Sequence, residues 1–82
     1  MDTAYCFIAP DGKTDTAYAV SAENATEWWL WNQWNGIPTD SIRVVHSPSE
    51  GEWIMWQLTI KSEREWNLSR IELKTVKENA YG

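Results

Sequence analysis

Eighty-two residues set the scale of one domain, and folding a chain this short removes roughly 60–65% of its unfolded surface from water. Twelve acids against seven bases give a net charge of −5, a sign that repels phosphate and argues against direct nucleic-acid binding. The single cysteine, Cys6, excludes a disulfide framework and a Cys-based zinc site within one chain, and no apolar run is long enough to span a membrane.

The charge is uneven. Residues 1–40 hold six acids (Asp2, Asp11, Asp15, Glu23, Glu27 and Asp40) against Lys13 alone, whereas residues 41–82 hold six acids and six bases. The whole negative excess therefore lies in the N-terminal half, where it would attract a basic surface. The chain opens at Met1 without a basic-plus-apolar leader, which sets the expectation of a complete protein in a bacterial or host cytosol. Cys6 sits among Tyr5, Phe7 and Ile8 and reads as a buried, inert thiol, since a reactive thiolate needs a basic neighbour. The Asn-x-Ser/Thr matches at Asn24 and Asn67 carry no meaning without a secretory signal.

In chain order, Thr3 to Ala9 alternates, with Tyr5, Phe7 and Ala9 on one face and Ala4, Cys6 and Ile8 on the other. Pro10-Asp11-Gly12 marks a turn. Thr14 to Val20 alternates again, so the two runs read as a β-hairpin. Ser21 is a good N-cap for a helix, with Asn24 as a second start, and Asn35-Gly36 followed by Pro38 supplies a stop. Ile42 to His46 is a short β-branched run. Pro48 to Gly51 is a turn, and Glu52 to Lys61 is the clearest strand, with an apolar row of Ile54, Trp56, Leu58 and Ile60. Ser62 to Ser69 reads as a polar connection carrying Trp66, and Arg70 to Lys77 as a last, edge-like strand. The order ββαβββ predicts an α+β domain: one antiparallel sheet with one helix packed on one face, above that apolar row.

The helix holds four of the seven tryptophans. At about 100° per residue, Ala22, Ala25 and Trp29 share one side, flanked by Trp28, while Leu30 and Trp34 share a side with Glu23 and Glu27. One packed face cannot bury all four indoles. Each tryptophan presents up to about 250 Å², and at about 25 cal/mol per Å² the chain will bury what it can. Two readings follow. Either Trp29, Trp56 and Trp28 are core and loops or Trp66 cover the rest, or Trp31 and Trp34 beside Glu23 and Glu27 form an acidic-aromatic contact face. On the second reading the candidate partner-binding residues are Glu23, Glu27, Leu30, Trp31 and Trp34, with Asp11 and Asp15 adding to the acidic field.

The catalytic inventory is thin. His46 is the only histidine, and one histidine at a strand end reads as a solvated or hydrogen-bonded residue. There is no Gly-rich phosphate loop, paired-histidine metal motif or nucleophile elbow. The expectation is a non-enzymatic protein with no catalytic residues, no cofactor and no metal. A carbohydrate-binding module using Trp53 and Trp66 is an alternative, opposed by the missing secretion signal and disulfides. Self-association through the helix, giving a homodimer, is another.

Tyr5-Cys6-Phe7-Ile8-Ala9, the Asp11-Gly12 turn, the run from Ala17 to Ala25, an amphipathic stretch, and Ile42-Arg43-Val44-Val45 followed by Gly51-Glu52-Trp53-Ile54-Met55-Trp56 together resemble the layout of small phage-encoded inhibitors. Some anti-CRISPR proteins and a short phage inhibitor of bacterial RNA polymerase share a strand ending in Ala-x-Ser/Thr that feeds a helix and then antiparallel strands. The likeness covers residues 3–60 and is one of layout. The dense tryptophan of the helix departs from those proteins, so no functional residue is carried over. The resemblance implies a compact acidic protein that occupies a basic, nucleic-acid-handling surface of a bacterial complex such as a CRISPR effector. Binding would be to protein or ribonucleoprotein, with no direct contact to free nucleic acid and none to membrane.

Overall fold

In a computed structural model, which describes residues 2–71, the alternating runs become strands β1 (Thr3–Ile8) and β2 (Thr14–Ala19). They pair antiparallel, with Phe7 opposite Asp15 and Tyr5 opposite Ala17. The turn between them closes through Gly12 N–H donating to the Ala9 carbonyl at 2.9 Å. Gly12 takes a φ of 90°, a conformation open to glycine because it has no Cβ to clash.

Helix α1 spans Ala22–Asn32. Ser21 caps it as expected, its Oγ accepting from the Asn24 amide at 3.2 Å, which satisfies one otherwise unpaired first-turn donor. The helix stops earlier than its glycine: Gln33 is the C-cap, and the amides of Gln33 and Trp34 both donate to the Trp29 carbonyl, at 2.8 and 3.1 Å.

Strands β3 (Thr39–His46), β4 (Ile54–Ser62) and β5 (Glu65–Ile71) complete one antiparallel sheet in the order β2-β1-β3-β4-β5. Since β2 and β3 each run antiparallel to β1, they run parallel to each other with β1 between them. The β2–α1–β3 connection must cross β1, and this crossing holds the helix over the Phe7 row. The fold is α+β in the expected order ββαβββ, with the helix on one face.

The last strand corrects the sequence-based assignment. Residues Glu65–Ile71 form β5, where a polar connection was expected, and the expected strand from 70 to 77 lies mostly outside the described residues. Leu58 pairs with Leu68 and Ile60 with Trp66. The tight turn at Glu63-Arg64 lacks the glycine, proline or asparagine that marks turns in sequence. Ser62 supplies the turn chemistry, its Oγ accepting from the amides of Arg64 and Glu65 at 3.4 and 3.1 Å.

The core lies between helix and sheet. Phe7, Val44, Leu58 and Ile60 are fully buried, with Tyr5, Ala17, Ala19 and Ile42 beside them. From the helix come Ala22, Ala25, Trp29 and Leu30. Alanines on both α1 and β2 leave little side-chain bulk between them, and β2 is the strand that α1 approaches most closely. Phe7 and Trp29 stack with centroids 5.2 Å apart and planes 5° from parallel, an arrangement worth about 0.5–1.5 kcal/mol beyond the area it buries. Thr26 is also fully buried; its hydroxyl donates to the Ala22 carbonyl at 2.8 Å, which offsets the cost of taking that polar atom out of water.

Candidate functional site

The buried arc of α1 decides which candidate residues are available to a partner. Ala25, Trp29, Ala22, Thr26 and Leu30 are all buried, and at about 100° per residue they fill an arc of roughly 140°. The sequence places the centre of the sheet-facing side near Trp29 and extends it toward Trp28. The packed arc extends the other way, through Thr26 to Leu30. Trp28 is consequently 47% exposed. Leu30 is 3% exposed and is a core residue, which removes it from the candidate contact face.

The opposite arc carries Glu23, Glu27 and Trp31 at i, i+4 and i+8, with Trp28 alongside. Glu23 and Glu27 are exposed, and Trp31 is 80% exposed. No base occurs within the helix, and Glu23 lies in its first turn, where the helix dipole favours an acid. Trp28 and Trp31 are i, i+3 neighbours and touch the same patch of surface. Together they expose on the order of 300 Å² of mainly apolar area, close to the largest patch that a monomer usually leaves open.

Trp34 belongs elsewhere. It is half-buried against the core, and its Nε1 donates to the Ile37 carbonyl at 2.9 Å. Because α1 ends at Asn32, extending the helical projection to Trp34 misplaces it beside Glu23 and Glu27. It lines instead a groove of about 660 Å³ between the β1–β2 turn and the end of α1, together with Asp11, Lys13, Asp15, Trp29 and Ile42. Glu23 and Glu27 do not line that groove. The seven candidate residues therefore divide: Glu23, Glu27 and Trp31 on the outer helix, Asp11, Asp15 and Trp34 at the groove, and Leu30 in the core.

Asp15 joins groove to core. It lies on the helix-facing side of β2 opposite Phe7, half-buried, and its Oδ2 accepts from Trp29 Nε1 at 3.0 Å. Alternation groups Asp15 with Ala17 and Ala19 but does not show that the helix covers this side, since the bulkier Tyr18 and Val20 of the other row are the exposed ones. The partner, Trp29, comes fourteen residues later and shows no local sign of it.

Of the remaining candidates His46 and Trp66 pack, Cys6 is half-buried and Trp53 is 63% exposed. His46 stacks on Tyr5 at 4.7 Å, and its Nδ1 meets the Ala4 carbonyl at 3.2 Å. A carbonyl can only accept, so Nδ1 carries the proton in that contact. Cys6 is half-buried on the other face of the sheet, in a smaller depression of about 360 Å³ that Trp53 also lines. Trp66 pairs with Ile60 and packs against the core from the helix side, so Trp53 and Trp66 lie on opposite faces and cannot form one stacking platform. Among the described residues no helix is long and apolar enough to cross a membrane. Compared with known proteins, the chain matches no family model, no curated protein and no solved structure.

Proposed function

We propose that this chain is a non-enzymatic protein-binding inhibitor or adaptor whose acidic N-terminal half and tryptophan-bearing helix dock on a basic, nucleic-acid-handling surface of a bacterial complex. The observation that carries this reading is Trp31, 80% exposed at the C-terminal end of a helix face whose only charges are Glu23 and Glu27. Burying an exposed indole at about 25 cal/mol per Å² supplies affinity. Two like charges on the same face select partners by sign and speed their approach, as interfacial charge does in general. Tryptophan at the centre of a small contact with charged neighbours is a common hot-spot composition.

The test compares affinity capture from a bacterial lysate by the wild-type chain, Trp31→Ala and Glu23→Gln/Glu27→Gln, with captured proteins identified by mass spectrometry. A basic nucleic-acid-binding protein held by the wild type, released by moderate salt and lost by both variants, is the expected result. Equal capture by all three chains sinks the proposal. So does sedimentation that shows a concentration-dependent dimer abolished by Trp31→Ala, which would assign the face to a second copy, or glycan binding without any protein partner.

A further inference from the structure

We infer that the groove between the β1–β2 turn and the end of α1 is a receptor for one guanidinium side chain presented by a partner segment. Its volume of about 660 Å³ falls in the range, roughly 300–1,000 Å³, of sites that enclose a small ligand. Two of its lining residues are tryptophans, and both indole N–H groups are already used, Trp29 on Asp15 and Trp34 on the Ile37 carbonyl. Trp29 is buried and stacked on Phe7, so the ring surface left to the groove is that of the half-buried Trp34, whose π face attracts cations. Pro10, Ile37 and Ile42 also line the groove and suit the aliphatic stem of a long basic side chain.

The carboxylates set the sign. Asp15 is oriented by the Trp29 N–H on Oδ2, and among the described residues Oδ1 has no protein donor. Being half-buried, Asp15 acts on a ligand through less water than a surface acid does. Asp11 has one oxygen engaged, by the Lys13 amide at 3.0 Å. Lys13 is the one base lining the groove, and its ammonium forms no ion pair among the described residues. Two carboxylates against one ammonium leave the groove negative, and a planar guanidinium can meet a carboxylate with two N–H groups while stacking on an indole.

The proposal rests on the basic-partner reading for the source of that side chain, and its test uses an isolated probe. The full chain is titrated with N-acetyl-arginine amide and, separately, with its neutral isostere N-acetyl-citrulline amide, following the Trp29 and Trp34 indole N–H signals by NMR. The arginine probe is expected to move both signals saturably and to bind at least about ten-fold more tightly than the citrulline probe, the effect of one charge-assisted hydrogen bond. Asp15→Asn keeps an acceptor for Trp29 Nε1 and should weaken arginine binding by about ten-fold. Asp11→Asn is the second variant, and Lys13→Ala should strengthen binding by roughly two-fold. Equal affinity for the two probes, indifference to both aspartate substitutions, or a neutral oligosaccharide moving the same signals in their place overturns the proposal. Probe binding without lysate capture sinks the partner reading and leaves the groove; capture that depends on Trp31 without probe binding sinks the groove alone.

Discussion

Leu30 and Trp31 are consecutive residues of one helix with opposite fates: 3% of Leu30 is exposed and 80% of Trp31. The inner arc of α1 is made of alanine, threonine, leucine and one tryptophan, and the outer arc of glutamate, asparagine and the two exposed tryptophans. Hydrophobicity alone would bury Trp31 before Thr26. The sheet reverses that order, because the crossing over β1 presents a floor of Phe7, Ala17 and Ala19 to one arc only. Once Trp29 has stacked on Phe7, small residues must fill the rest of the contact. The outer tryptophans are what that geometry leaves in water, and their exposure is the reason for proposing a partner there.

Substitutions that set the two arcs against each other test this directly. Phe7→Ala removes the ring on which Trp29 rests and should cost about 3–5 kcal/mol, a large share of a total stability of order 5–15 kcal/mol; urea denaturation would register it. Leu30→Ala should cost about 2–5 kcal/mol by the same measure. If it proves nearly neutral, the inner arc is not packed as described. Ser21→Ala removes the N-cap acceptor common to both arcs and should cost about 1 kcal/mol, read as a lower thermal midpoint with unchanged partner capture. Trp31→Ala should shift stability by no more than about 0.5 kcal/mol while abolishing capture. A large loss of stability there would make Trp31 structural and end its candidacy as a contact residue.

Several features of this arrangement are legible in the residues themselves. Ser21 announces the helix start, since a hydroxyl before a run of helix formers has a local donor to satisfy. The apolar row of β4 announces its buried face, with Leu58 and Ile60 fully covered. Leu30 was harder. It shares a helical ladder with two glutamates, and the projection puts it on their side, the wrong one; which margin the sheet covers depends on strand positions remote in sequence. Strand β5 was hidden for another reason. Its alternating Trp66 and Leu68 are interspersed with polar residues, and the turn before it is made by the Ser62 side chain, with no residue that breaks a strand by its backbone preference.

The candidate site divides along the same line. Acidity in the N-terminal half and the surplus of tryptophan can both be counted from the sequence. That Asp15 and Trp29 bond across fourteen residues, and that Trp34 joins Asp11 and Asp15 while Trp31 does not, follows from where β2 and the end of α1 meet. By itself the sequence determined the element order, the helix cap and the buried face of β4, because capping and alternation are interactions between residues close in the chain. Only the tertiary structure decided the strand order, the width of the buried arc and the division of the acidic and aromatic residues into two surfaces, because each depends on contacts between segments that chain proximity does not bring together.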